Sequence, residues 1–207
     1  MKQNLFLFVF VLLLALAAFF IYLSNNFTSN NLVSTTTTKE EPPLANENLE
    51  VNVYFSNFNL SGDSQDCSLV YPVKRTINID GDPFIQTLNL LFMGPTEQEK
   101  AQGYSSVFSL DTKNILKNID IDEEGTVYID LHDIRSIIPN ASSSCGSAQF
   151  LNSVFQTLKQ FQVVKKVIYA INGDPKIFYE WMQIGCSEEN NNCDPTPFSK
   201  FYQEENL

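Results

Sequence analysis

LLFMGPTEQEKAQG, residues 90–103, reads as the end of one helix, a corner, and a second short helix. Leu90, Leu91 and Phe92 close an apolar helical face. Gly94 accepts φ > 0, and Pro95 disfavours helix in the residue before it, so the first helix stops there. Thr96 and Glu99 have the spacing of a capping box, in which hydroxyl and carboxylate satisfy orphan N–H groups at a new helix start. Gly103 suits the position just past the end of that helix. Every residue here has a structural task, and none need do chemistry.

Upstream, Asp82 is a good N-cap and Pro83 fits the first helical position. Phe84, Leu88, Leu91 and Phe92 then share one helical stripe. Before that helix, Val51, Val53 and Phe55 alternate with Asn52, Tyr54 and Ser56, the period of a half-buried strand. Leu69–Ile77 reads as a second strand, restricted to an edge or bulge by Pro72. Downstream, Tyr104–Leu110 reads as an irregular crossing, and Ile115–Ile121 and Thr126–Leu131 as two strands joined by Asp122–Gly125. Residues 133–146 read as a polar loop. Ser147–Phe161 reads as a second long helix with Leu151, Val154, Phe155, Leu158 and Phe161 on its buried face. Val167–Ile171 is a β-branched apolar run, read as a central strand, and Asn172–Pro175 a turn. The expected fold is α+β: a mixed or antiparallel sheet of about five strands with two main helices on one face. After it, Ile177, Phe178, Trp181, Met182 and Ile184 are apolar enough to dock, and the segment beyond Cys193 is expected to be loose.

The ends set the location. Leu5–Leu23 is uncharged and almost wholly apolar. As a helix it spans about 28 Å, close to the hydrocarbon thickness of a bilayer. A cleaved secretory signal and a retained anchor compete. Ala15-Leu16-Ala17 resembles a cleavage site, but the apolar run continues past it through AFFIYL, which favours the anchor. Lys2 and the α-amino group favour a cytoplasmic N-terminus, with everything after Leu23 exported in a single-pass topology. Residues 24–48 form a Ser/Thr/Asn-rich linker that cannot bury enough surface to fold. As a flexible coil it would span roughly 25–30 Å. The expected organisation is thus an anchor at 1–23, a linker at 24–48, a domain at 49–173 and a C-terminal extension at 174–207.

With 13 Lys+Arg against 24 Asp+Glu, the net charge of −11 repels nucleic acid and anionic head groups. The basic pairs Lys74-Arg75 and Lys165-Lys166 do not make a nucleic-acid patch. Four cysteines in an exported chain suggest two disulfides, with three possible connectivities. Cys186 and Cys193 enclose only SEENNN, so a local bridge is easy, which leaves Cys67 with Cys145. A bridge closing so long a loop stabilises by roughly 4 kcal/mol on the chain-entropy model. No Cys-x-x-Cys exists and His132 is the only histidine, so a zinc site is not expected.

Other candidate chemistry reads as architecture. Asp120, Asp122 and Glu124 with Gly125 mimic the start of a calcium loop, but Leu131 stands where a bidentate Glu is required, and strands flank it instead of helices. A hairpin turn is the expected reading. His132 could be imagined with Ser142–Ser144 or Ser147 as a nucleophile, yet no GxSxG elbow or glycine-rich oxyanion loop is present. Glu123 and Glu124 are adjacent and point apart, poor geometry for acid–base work across one bond. Tyr54, Tyr128 and Trp181 could offer stacking surfaces to sugars, although strand tyrosines are commonly half-buried packing residues. No catalytic, metal-binding or cofactor-binding residue is expected, and no cofactor. The Asn26, Asn59 and Asn140 sequons arise by chance in an Asn-rich chain.

VNVYF at 51–55, YPVKR at 71–75, LLFMGPTEQEKAQGY at 90–104, GTVYIDL at 125–131, FQTLKQF at 155–161 and VIYAING at 167–173 occur in order. Together they resemble the GerMN domain, the sporulation and spore germination module of bacterial envelope proteins. The motif residues are Gly94, Pro95, Thr96, Glu99, Gly103 and, in VYIDL, Asp130, all with structural roles. The resemblance implies a ring-building-type fold, an exported membrane-tethered protein, and no enzymatic activity. It also implies the Cys67–Cys145 pair, as in single-domain members. The expected role is association with envelope proteins or with copies of itself, and alternatively binding of peptidoglycan.

Overall fold

The computed structural model describes residues 48–189 and 191–203. The expected anchor, and the expected linker up to residue 47, lie outside them. Among the described residues, no helix is long and apolar enough to cross a membrane.

Strand β1 (Asn48–Asn57) keeps the alternation read from its sequence, with Val51, Val53 and Phe55 buried and the residues between them half-buried. Asn57 then caps a single-turn helix, α1 (Phe58–Ser61), accepting from the N–H groups of Asn59 and Leu60. Strand β2 (Tyr71–Asn78) pairs antiparallel with β1, from Asn48↔Asn78 to Phe55↔Tyr71. It is the outer strand, which is why Pro72 is tolerated. Helix α2 (Pro83–Phe92) is capped by Asp82 and buries Thr87, Leu88, Leu91 and Phe92.

The chain turns at Gly94, with φ 71°. A Cβ there would lie 2.3 Å from the Phe108 carbonyl oxygen, so backbone angle and space both require glycine. Helix α3 (Glu97–Ala101) follows with the capping box in place: Glu99 N donates to Thr96 Oγ1 (3.3 Å), and Thr96 N donates to Glu99 Oε2 (2.8 Å). Arg75 from β2 also donates to both Glu99 oxygens, at 2.6 and 2.8 Å, tying α3 to the first sheet. Strand β3 (Tyr104–Ser105) pairs antiparallel with the end of β1.

Strands β4 (Leu116–Ile121) and β5 (Thr126–Leu131) form an antiparallel hairpin, and β6 (Lys166–Ile171) pairs parallel to β5. The crossover between β5 and β6 runs through α4 (Ser144–Lys159). This helix starts earlier than the expected Ser147, because Ser143 caps it by accepting from Gly146 N. Helix α5 (Pro175–Trp181) follows β6, and a last turn, α6 (Thr196–Ser199), leads into a 3-10 turn over Lys200–Tyr202.

Two three-stranded sheets, β2–β1–β3 and β4–β5–β6, thus replace the expected single sheet of about five strands. The reason lies on the side of β1 away from β2. There the stretch read as an irregular crossing supplies β3, and side chains of α4 and of its C-terminal cap take the next outward N–H groups: Asn52 N donates to Gln160 Oε1 (2.9 Å) and Tyr54 N to Thr157 Oγ1 (3.1 Å). No strand of the second sheet can add at those positions.

The core is a run of aromatic contacts from α2 to α5. Phe92 meets Phe108, Phe108 meets Phe150 and Phe150 meets Phe178, at 5.0, 5.0 and 5.7 Å between ring centroids. Phe178 then stacks on Tyr169 at 4.8 Å. This face of β5 and β6 carries Val127, Ile129 and Leu131. Period-two alternation sends Tyr128 and Asp130 to the opposite face. That face is covered by the segment expected to be loose: Phe198 is fully buried and meets Tyr128 edge-on at 5.6 Å. The cysteines pair as expected, Cys67 with Cys145 and Cys186 with Cys193.

Candidate functional site

Most side chains that could have done chemistry are held in structural bonds, apart from one another, and the His132 ring is left on the surface. His132 is exposed, and its N–H donates to the Ile115 carbonyl. Its neighbour Asp133 is engaged by the Arg135 guanidinium, which pulls the Asp133 pKa down to about 2. Ser143 caps α4, Ser142 Oγ donates to the Pro139 carbonyl, and Ser147 Oγ to the Ser143 carbonyl. Asp122 closes the β4–β5 hairpin, accepting from Glu124 N, Thr126 N and Tyr128 Oη. Burial alone would raise the Asp122 pKa, but these hydrogen bonds bring it below the usual carboxylate range. Among the described residues, no group of His, Cys, Asp and Glu could hold a metal ion.

Asp130 is fully buried. It accepts from Gly173 N (2.7 Å) and from the hydroxyl of Tyr202 (2.6 Å), and Asn118 Nδ2 approaches at 3.4 Å. Lys117 Nζ donates to the same hydroxyl at 3.0 Å and sits 4.5 Å from the ring centroid of Tyr202. The Tyr202 ring lies so close to Gly173 that a Cβ there would stand 2.6 Å from it. Asp130 thus joins the second sheet, the turn after β6 and the C-terminal segment. Tyr54 lies half-buried on β1, Tyr128 lies under Phe198, and Trp181 lies half-buried at the end of α5 against Phe178.

None of those three lines the main concavity, a groove of about 430 Å³ beside the first half of β6. Leu151 and Phe155 of α4 form one side, Val167 and Tyr169 the floor, and Tyr179 and Ile184 the other side. The end is closed by the Cys186–Cys193 loop through Ser187 and Asn192. Asn192 is buried and braces this loop, donating to the Gly185 carbonyl and accepting from Ser187 N. Burial pushes the Tyr179 hydroxyl up to about 12, partly offset by a hydrogen bond from the Tyr169 backbone. It is therefore a neutral partner at physiological pH. Of the lining residues Lys165 and Lys166 are charged, but Lys166 alternates to the face of Tyr128 and Asp130, and the disulfide loop carries exposed Glu188 and Glu189 beside Ser187.

The groove borders a sheet edge that has been left open. In the parallel ladder, Lys166 N donates to the Gly125 carbonyl and Asn172 N to the Leu131 carbonyl. Even-numbered residues of β6 therefore face β5, and Val167, Tyr169 and Ile171 face outward. Ile171 is closed by reciprocal bonds with Asp174, and the Tyr169 N–H by Tyr179. The N–H and C=O of half-buried Val167 have no partner among the described residues, whereas Tyr169 is buried, so the edge is open only at Val167. Elsewhere the edges are blunted: β2 by Pro72 and Lys74, β4 by a register irregularity between Leu116 and Asn118 and by Lys117, and β1 by α4. Sequence reasoning placed the groove residues on a helix face and a strand but did not bring them together. Lys165-Lys166 was the one visible signal.

The Germane family, described as sporulation and spore germination, matches residues 52–177. Among solved structures, the tandem GerMN domains of the sporulation protein GerM from Bacillus subtilis align with 68% of this chain and 43% of that one, at 19% identity and a TM-score of 0.45. The first GerMN domain of the same protein aligns with 60% of this chain and 84% of that one, at 21% identity and a TM-score of 0.37. This chain thus spans less than half the length of the tandem protein. No curated protein matches it. Residues 178–203, which supply Tyr179, the disulfide loop and Tyr202, lie beyond the matched range. With the family's description matching over more than half its length, this chain belongs to the Germane family of sporulation and spore germination domains.

Proposed function

We propose that this protein is a membrane-anchored, extracytoplasmic, non-catalytic module of the bacterial cell envelope that acts by associating with another protein. The observation that carries this reading is the contrast at the surface. Ionisable side chains are dispersed into caps, turns and ion pairs, while the sheet edge at Val167, beside an apolar groove, is left unpaired. An open edge is a template for protein contact and offers nothing to a reaction. The apolar segment Leu5–Leu23, the linker after it and the two disulfides support an exported, tethered body.

The test is made on the full chain in its native membrane. Protease added outside intact cells should cut the domain, and photo-crosslinkers placed on its surface should give discrete protein adducts. If the chain is protected from external protease, the location is wrong. If it yields no protein adduct and sediments as a strict monomer, association is wrong.

A further inference from the structure

We infer that the Cys67–Cys145 disulfide is a redox clasp: a dithiol reductant opens it ahead of Cys186–Cys193, and its opening frees the loop between α1 and β2 from the start of α4. This inference goes beyond the association reading above and does not rest on it. The loop is fastened in an unusual way. Among the described residues, every hydrogen bond of residues 63–69 closes within residues 61–69: Ser64 N donates to the Ser61 carbonyl, Leu69 N to the Asp66 carbonyl, Asp66 N to Ser64 Oγ, and Ser68 N and Oγ to Asp66 Oδ1. Residues 62–66 are all exposed. The bond from Cys67 to Cys145 is thus what ties the loop to α4. Beside Cys67 lies a recess of about 190 Å³ that reaches Ser56 of β1, Phe58 of α1, Ser105 of β3 and Gln149 of α4. Ser56 Oγ is buried there without a hydrogen-bond partner. Lifting the loop breaks no bond at that hydroxyl and gives it water.

Exposure does not choose between the two bridges, since each joins an exposed cysteine, Cys145 or Cys186, to a half-buried one, Cys67 or Cys193. Their surroundings do. Cys145 lies in the first turn of the sixteen-residue α4, where the positive end of the helix favours a thiolate. Cys186 lies near exposed Glu188 and Glu189, and Cys193 precedes Asp194, so charge on either sulfur is disfavoured. Asp66 does the same to its neighbour Cys67, which directs the leaving charge to Cys145. The first thiolate of the reductant enters through the recess and bonds to Cys67 Sγ, and the electron pair of the broken S–S bond leaves on Cys145 Sγ. The second thiolate of the reductant then attacks the reductant's own sulfur in the mixed disulfide and expels Cys67 as a thiolate. In net, two electrons and two protons pass to Cys67 and Cys145, and the reductant's two thiols become a disulfide. Opening Cys186–Cys193 changes less, because Asn192 still holds Gly185 and Ser187. The longer bridge is therefore the one that couples redox state to shape.

The test uses the full chain in detergent micelles, dithiothreitol as the dithiol, a maleimide quench and peptide mass mapping. Cys67 and Cys145 should become labelled about tenfold faster than Cys186 and Cys193. A thioredoxin with serine in place of its second active-site cysteine should be trapped on Cys67 and not on Cys145. Ser144→Glu, at an exposed position, puts negative charge beside Cys145 and should slow the opening roughly threefold while leaving α4 no less stable. In the opened and alkylated protein, subtilisin should make a new cut within residues 62–70 and leave residues 71–203 whole. Equal or earlier opening of Cys186–Cys193, an adduct on Cys145, an unchanged rate in Ser144→Glu, or cuts spread through residues 71–203 would each overturn the inference. None of these outcomes bears on location or association, which the cell experiments above decide separately.

Discussion

Replacing Tyr202 with Phe removes a single oxygen atom and tests whether the C-terminal segment is a fixed part of the fold. That oxygen donates to Asp130 Oδ2 at 2.6 Å, and Asp130 is fully buried, with Gly173 N as its other close partner. A hydrogen bond to a buried charged group contributes about 1.5–3 kcal/mol, because its loss leaves the carboxylate short of a donor that water cannot supply. Lys117 also loses an acceptor, but its ammonium can turn to solvent and adds little. The ring stays, so its packing on Gly173 is unchanged. The expected loss is about 2 kcal/mol, which for a domain of this size lowers Tm by roughly 4–8 °C. Urea titration followed by Trp181 fluorescence, with calorimetry as a second probe, measures it. A double-mutant cycle with Asp130→Asn assigns it to the pair. A loss below about 0.5 kcal/mol, or losses that simply add in the cycle, would refute the reasoning.

Glu99→Gln should cost about 2 kcal/mol at pH 7, since Glu99 completes a cap and takes both guanidinium bonds of Arg75. Burial opposes its charge, but hydrogen bonds from Arg75 and Thr96 and the nearby guanidinium hold its pKa below the usual carboxylate value. A depressed folded-state pKa stabilises above the unfolded value, roughly 4.3, and that contribution fades as pH falls through the folded one. Urea midpoints of the two proteins should therefore converge in acid, and a gap that persists unchanged at pH 3 contradicts this. Gly94→Ala forces a left-handed φ on a residue with a Cβ and drives that Cβ onto the Phe108 carbonyl; thermal melts should show a loss of at least about 2 kcal/mol. Removing the Cys67–Cys145 bridge with paired serines frees a loop of 78 residues' separation and should cost roughly 4 kcal/mol by urea titration, whereas opening the Cys186–Cys193 loop should cost less, its separation being 7.

What could be read beforehand was whatever is set by near neighbours in the chain. The Thr96–Glu99 box, the Asp82 cap with Pro83, the alternation of β1 and β5 and the short Cys186–Cys193 bridge all follow from local chemistry and appear as read, and the Cys67–Cys145 pair then follows as the two cysteines left over. What escaped reading depends on distant partners. Gln160 and Thr157 look like ordinary helix-surface residues until β1 arrives beside them and takes their side chains as caps. Tyr202 looks like part of a polar tail until Asp130, far back in the chain, supplies its acceptor. The groove was illegible for the same reason. Whether Val167 is bonded or open depends on where α5 ends and on which side of β6 Tyr179 falls, and neither is encoded near Val167.

The Cys67–Cys145 bond carries a mechanical consequence. A pull on the N-terminal side of the chain enters the folded body at Asn48 and acts first on β1 and α1. Even with both stripped away, the polypeptide can lengthen only as far as Cys67, roughly 65 Å of extended backbone, before tension passes directly into the first turn of α4. Tugging therefore meets a covalent stop while the whole second sheet is still assembled, and a reductant removes that stop.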